Sequence, residues 1–597
     1  MDDEPKGPAP ERNGAAAEQR DRATNEPSAD TAAAGGSAVS STSPPELPES
    51  GAAADSSSAT PGSSAPELDF SWVLTRARNR REQPPVRWRE ILSVLLLIVV
   101  CDLTIYRGEG FAGLALLFVA APVLLLVGAP RPIRRSSFWI VGIMLLALAA
   151  KMVWCGSALL VACGFALIVA FAMALSGLCP YVLEVGVFAS QTILAGYDGL
   201  IHYRRSSNKL SPPVRRGTWL NVALPVAAFV AFGLLFILAN PDLLTRFGEK
   251  LELFFNTVRD WIIRFAPDVT EILFWIAVLW TAVGLLRPVI TETLFQEAAG
   301  DVPPRGDVDA EPAEAVFYAP FRNTLITVAV LFAVYLVFEF VTLWFREFPE
   351  GFYYSGYAHE GAAWLTVALG LATVVLSLIF RGRVLGEPRL PTLRKLAWIW
   401  SLENVLLAVA VYHRLYIYIG FNGMTRMRTV GIFGISCVLV GFLLVVWKIV
   451  YNRDFIWLMR RHLWALAVTV YLFALTPVDT AVHSYNVRRI LSGDPAPSVQ
   501  ISVHPISSEG VLLLRPLLDC QDEIIREGVR AMLAQRREEA GALAQRRQAL
   551  GWTAFQIADR VVLDGLRRSS PRWAEYADRR KRSEALERFH EYAYQWY

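Results

Sequence analysis

Lysine is scarce in this chain, since only seven of its 58 basic residues are Lys and the rest are Arg. Cysteine is scarce too: five of the six, Cys101, Cys155, Cys163, Cys179 and Cys437, lie in or beside apolar stretches. That pattern offers neither a disulfide framework nor zinc-ligand spacing. There is no Gly-rich phosphate loop, no His-Glu-x-x-His and no nucleophile elbow, so no motif names a reaction. Net charge is also small, at +3. The Arg clusters sit between apolar runs, where orienting helices explains them better than a polyanion would, and no nucleic-acid partner is expected.

What is abundant is apolar length. The chain is 54% hydrophobic with 18 Trp, far more than one soluble core needs. Residues 91–485 hold a series of charge-poor segments, two of which, Trp219 to Ala239 and Val430 to Trp447, contain no ionisable residue. About 20 apolar helical residues cross a hydrocarbon core of about 30 Å. The expected fold is therefore all-α, a polytopic transmembrane helix bundle of about eleven spans. They are placed at 91–106, 111–130, 138–154, 156–178, 219–240, 271–287, 323–345, 361–380, 396–416, 429–450 and 463–483.

Residues 1–67 are rich in Ala, Ser, Pro, Gly and acids and are expected to be a disordered cytoplasmic tail. No cleavable signal peptide is expected, because the first apolar run begins at Ile91. Residues 68–90 form a basic juxtamembrane segment, whose Arg residues place the start of the first helix in the cytoplasm. The clusters Arg131 to Arg135, Arg204 to Arg216, Arg381 to Lys395 and Arg453 to Arg461 then fall on that same side. Tyr181 to Tyr203 is apolar with Glu184, Gln191 and Asp198 at seven-residue intervals. Crossing would strand the Arg204 cluster outside, so this stretch reads as a helix lying along the cytoplasmic leaflet. Leu243 to Phe265 suits an amphipathic helix on the outer face, and Glu297 to Glu314 an acidic cytoplasmic loop. Residues 486–597 read as a soluble, mostly helical extracytoplasmic domain. Ser498 to Pro505 alternates like a short strand, two or three helices follow from Leu517, and Gly528, Gly551 and Pro571 punctuate them.

Ionisable residues inside the membrane are costly and mark functional candidates. Glu339 and Glu403 are the best two. Glu403 and Arg414 share one helix face about 16 Å apart, too far to pair directly. Asp102 and Lys151 are near span ends, where snorkelling suffices. A second group gathers on the expected outer face: Tyr353, Tyr354, Tyr357, His359, Glu360, His413, Thr425, Arg426, Arg428, Asp479, His483 and Asn486. Arg414, Arg426 and Arg428 are the cations offered to Glu360. Asp479 and His483 stand i, i+4 as two metal ligands would, but His at helix ends is common, and neither metal nor cofactor is expected.

These loops carry a family resemblance. Tyr357-Ala358-His359-Glu360-Gly361 looks like the Tyr-Ala-Arg-Glu-Gly signature of an uncharacterised bacterial multi-pass membrane family, catalogued only as a domain of unknown function. Gly423-Met424-Thr425-Arg426-Met427-Arg428 resembles that family's Gly-Leu-Thr-x-x-Arg turn, and Asp479 to Asn486 its closing Asp-x-x-Ile-x-x-x-Asn segment. The chain departs at His359, where the family has Arg, and at Ala362, where it has Phe. The match covers roughly residues 320–520. It implies a bacterial envelope protein and supplies no activity.

Two functions compete. One is a non-enzymatic inner-membrane protein, transporter-like or sensory and scaffolding, with lipid and possible envelope proteins or lipid headgroups as partners. A dedicated transporter would show inverted repeats or paired broken helices, which the sequence does not display. The other is an intramembrane enzyme acting on a lipid-linked substrate at the outer face, with Glu360, His413 and Asp479 as acids and bases.

Overall fold

The computed structural model describes residues 84–130, 135–207, 216–239, 252–253, 256–257, 259, 267–289, 318–344, 354–380, 389–451 and 453–596. The amino tail, the acidic loop Glu297 to Glu314 and almost all of Leu243 to Phe265 lie outside them. Among the described residues every regular element is helical. In chain order these are α1 (Trp88–Cys101, continued by a π-turn Asp102–Tyr106), α2 (Phe111–Gly128), α3 (Ser136–Trp154), α4 (Ala158–Leu175), α5 (Val182–Ser207) and α6 (Arg216–Ala239). Then come α7 (Val269–Leu286), α8 (Tyr318–Trp344), α9 (Tyr354–Ile379), α10 (Leu390–Asn422), α11 (Arg426–Tyr451) and α12 (Phe455–Leu475). The carboxy-terminal part holds α13 (Val478–Leu491), α14 (Ser498–Ser502), α15 (Glu523–Ala549), α16 (Ile557–Ser569) and α17 (Arg579–Tyr594).

Eight of these, α2, α3, α4, α7, α8, α10, α11 and α12, are long and apolar enough to cross a membrane, and α1, α6 and α9 coincide with the other three expected spans. The protein is a polytopic membrane protein. On α3, Trp139, Ile140, Ile143 and Leu146 are each more than half exposed, an outward apolar stripe that only lipid accommodates. The last span is displaced from its expected position. It begins at Phe455, where the Asp454 carboxylate caps the helix by accepting from Trp457 N at 2.9 Å, and it stops before Pro477. The expected strand at Ser498 is instead a single helical turn.

The spans form two lobes with separate cores. In the first, α1 to α4 and α7 pack around Phe118, Leu145, Met152 and Phe171. In the second, α8 to α11 pack around Leu369, Trp400 and Phe442. Helix α12 joins them, giving Leu458 to the second core and Tyr471 and Ala474 to the first.

Helix α5 lies flat against one end of the bundle. Near its start, Glu184 pairs with Arg460 in the second turn of α12. Near its close, the Tyr203 hydroxyl donates to Glu90 Oε1 at 2.6 Å, at the start of α1. The starts of α1 and α12 share an end of the molecule. A Cβ on Gly128 at the close of α2 would touch Ser93, Arg135 before α3 donates to Gly177 O after α4, and Trp464 donates to Pro180 O. Nineteen helical residues span about 28 Å, so a crossing α5 could not reach the same end twice. The flat lie allows a close crossing of α7, where a Cβ on Gly196 would overlap Trp280 and one on Gly284 would overlap Thr192.

The carboxy-terminal helices enclose a third core around Leu517, Ile525, Val529, Leu566, Trp573 and Phe589. Gly528 does not interrupt α15. It sits inside the helix where Phe589 of α17 fills the space a side chain would need. Gly551 does end α15, with a positive φ of 85°.

Candidate functional site

The turn between α10 and α11 shows how a helix end can be completed by a distant segment. The last carbonyls of a helix lack intrahelical partners. Here Asn422 O accepts from Gln500 Nε2 at 3.0 Å and Gly423 O from Arg428, while Ile419 O, already bonded to Gly423 N, accepts a second bond from Arg489 at 3.0 Å. Asn486, fully buried on α13, grips the next residue from both sides: its Oδ1 accepts from Met424 N at 2.7 Å and its Nδ2 donates to Met424 O at 2.9 Å. Thr425 caps α11 by accepting from Arg428 N at 3.1 Å. The Arg428 guanidinium lies over the Tyr418 ring and bonds the Asn422 side chain.

Gly423 is required twice at this turn. Its φ is +96°, and a Cβ there would lie 2.6 Å from Asn486 Oδ1 and 2.9 Å from Pro497 Cβ. Gly423→Ala is expected to destabilise the folded protein by about 2 kcal/mol or more, read as a lowered detergent-melting midpoint, whereas Gly434→Ala, with open space around it, is expected to leave the midpoint unchanged.

Beside the turn, Arg426 makes a two-pronged pair with Asp479, its Nε donating at 2.5 Å, and Ser507 N donates to Asp479 Oδ2 at 2.7 Å. Burial alone would raise this carboxyl, but the Arg426 and Ser507 bonds prevail and hold it down at about 2. One turn on, His483 is 3% exposed, and its Nδ1 has no hydrogen-bond partner. Burial pushes its pKa down to about 4 against the pull of the Asp479 carboxylate. Gly510 presses on both, since a Cβ there would lie 2.6 Å from the His483 ring and 3.2 Å from Asp479 Cβ.

The first lobe is tied to the same cap. Lys151 at the close of α3 pairs with Glu509, and Glu109 N donates to Thr553 Oγ1 at 3.2 Å. Lys151 therefore has an ionic partner and does not snorkel. Asp102 likewise accepts from Trp275 Nε1 at 2.9 Å and pairs with Arg107, which also holds Glu271.

Within the second lobe, Glu339 on α8 and Arg414 on α10 form a two-pronged pair, one bond at 2.6 Å, with the Tyr335 hydroxyl on Glu339 Oε2 at 2.9 Å. Both charged residues are buried, and a Cβ on Gly361 of α9 would overlap the guanidinium. Glu403 is half-buried, and its Oε2 is sealed with no hydrogen-bond partner.

The structure thus joins Thr425, Arg426, Arg428, Asp479, His483 and Asn486 at one place, and joins Arg414 to Glu339 elsewhere. His413 stacks with Tyr416 on another face of α10. The side chains of Tyr353, Tyr354, Tyr357, His359 and Glu360 lie outside the described residues. All three cations offered to Glu360 are engaged with the partners given above. Sequence reasoning did not find Glu90 with Arg287, bonded at 2.5 and 2.8 Å, or Glu184 with Arg460. Their signal was a carboxylate inside otherwise apolar or basic stretches. Among the described residues no three His, Cys, Asp or Glu side chains gather as metal ligands do.

The family model described as a domain of unknown function, DUF4153, matches residues 110–507. That range runs from the start of α2 through α14 to Ser507, so it includes the clamp on Met424. No curated protein and no solved structure matches the chain.

Proposed function

The chain belongs to the DUF4153 family, and we propose that it is a non-enzymatic sensory or scaffolding protein of the bacterial inner membrane. In this reading the arginine-rich end of the bundle faces the cytoplasm and the helical cap faces outward. The observation that carries it is the double attachment of the cap. Residues of the cap side hold the second lobe at Met424 and Arg426 and the first lobe at Lys151 and Glu109. A partner binding the cap would thereby bias both lobes. Envelope proteins and lipid headgroups are the partners this geometry suits. The enzymatic alternative has less support, because Asp479 is committed to Arg426 and Ser507 and His413 to a ring stack. A transporter-like role draws support from Glu403.

Two experiments test this. In a background lacking the native cysteines, a cysteine at Arg560, which is exposed in the cap, should react with an impermeant maleimide in intact cells, and one at Ser40 should not. The reverse pattern would overturn the orientation. Next, Asn486→Ala combined with Asp479→Asn should loosen the cap and reproduce the deletion phenotype while membrane insertion persists. Full complementation by a variant with a demonstrably undocked cap would end the scaffolding reading.

A further inference from the structure

We propose that Glu403 is a proton-binding carboxyl in the membrane interior of the second lobe. This goes beyond the scaffolding reading and does not depend on it. Glu403 lies 13 residues into α10 from Leu390, about 20 Å along the helix axis, and therefore well inside the span. Its Oε2 is sealed from solvent and has no hydrogen-bond partner.

An ionised carboxylate in that setting needs a cation, and among the described residues none forms an ion pair with Glu403. Arg414, three turns further along α10, is held by Glu339 and Tyr335 belongs to that same pair. From α8, Arg322 bonds Asn323; from α11, Lys448 donates to Ser377 O at 3.2 Å. Tyr412 is paired with Ser436. Leaving a charge unpaired at this depth costs several kcal/mol, so the group takes up a proton instead.

Two further orphans accompany it. Trp400 Nε1 and Asn404 Oδ1, both on residues no more than 1% exposed, also lack partners. They stand at i−3 and i+1 from Glu403 on the inner half of α10. Together they supply one donor and one acceptor beside a carboxyl that can be either, the set that a proton arriving by way of a water would use. Glu339 is the internal contrast: same lobe, same seam, but with its charge matched.

An apolar carbodiimide separates the two glutamates. The protonated acid gives its proton to a carbodiimide nitrogen, its oxygen adds to the central carbon, and the acyl group migrates to nitrogen. Nothing leaves, so the peptide gains the whole reagent mass. The full chain in lipid nanodiscs, treated with dicyclohexylcarbodiimide and mapped by mass spectrometry, should carry the adduct at Glu403 and not at Glu339. Glu403→Gln should remove it and also remove a carboxylic C=O band from the infrared spectrum. A charged, water-soluble carbodiimide should not react. Labelling by the charged reagent, or an infrared spectrum unchanged by Glu403→Gln in folded protein, would overturn the proposal. So would an unlabelled Glu403 when Arg414→Met makes Glu339 reactive, since that control shows the reagent reaches the seam.

Discussion

Replacing Arg414 by Met is expected to destabilise the second lobe by about 3–5 kcal/mol, the usual result of removing one partner from a buried ion pair. The change keeps side-chain length and apolar volume but strips Glu339 of both Arg414 bonds, leaving it the one from the Tyr335 hydroxyl. Loss of hydrogen bonding alone would be smaller, about 0.6–2 kcal/mol between membrane helices. The larger figure follows because the freed carboxylate stays behind, and protonating a glutamate at neutral pH costs about 4 kcal/mol. Sodium dodecyl sulfate unfolding titrations would measure it. Adding Glu339→Leu should recover most of the loss, because the double variant buries no charge. A double variant weaker than the single one would show that the two groups do not depend on each other.

Acidification is expected to release the cap from the bundle between pH 6.5 and about 4. His483 titrates at 6.5 when unfolded and about 4 when folded. Below pH 6.5 the undocked form therefore binds a proton that the docked form refuses, so docking is favoured fully above pH 6.5 and loses ground as pH falls toward 4. The loss amounts to about 3 kcal/mol. Asp479 adds a second decline at lower pH, from 3.8 to about 2, as protonation weakens its hold on Arg426. Hydrogen exchange of α13 and of the 419–428 turn at stepped pH would follow it. His483→Gln should flatten the upper limb and leave the lower one. An upper limb unchanged by that substitution would transfer the effect to another group, with His504 the nearest histidine to test.

Hydropathy made the helices legible because a membrane span must satisfy its backbone internally and show apolar side chains outward. What it misplaced was the last span. Arg460 and Arg461 argued for a loop there, yet Arg460 is neutralised by Glu184 and Arg461 lies against Trp457 and Trp464. The alternation of Val499, Ile501 and Val503 suggested a strand, but a single helical turn can bury Val499 and Ile501 equally well. For α5 the polar stripe misled: Glu184 and Gln191 are buried against the bundle, while Ile193, Leu194 and Tyr197 form the exposed face. Pairings were not legible. Glu339 and Arg414 stand on different helices, 75 residues apart, and no local pattern reports which carboxylate will meet which guanidinium.

The cap's attachments also set an order of assembly. Glu109 waits for Thr553, 444 residues later, and Lys151 for Glu509, 358 residues later. Glu184 needs Arg460, 276 residues on. While the ribosome is still working, the first lobe sits in the bilayer with these groups unmatched, and the second lobe emerges beside it as a separate body. Domains made early fold early, yet here the cap that fastens onto both lobes is translated after every span. The two lobes therefore first meet when α12, the last span, enters both cores, and the cap's attachments are added after it. A truncation that removes α15 to α17 should cost the first lobe its Thr553 bond while the Glu509, Asn486 and Asp479 attachments and the α12 joint remain in the chain.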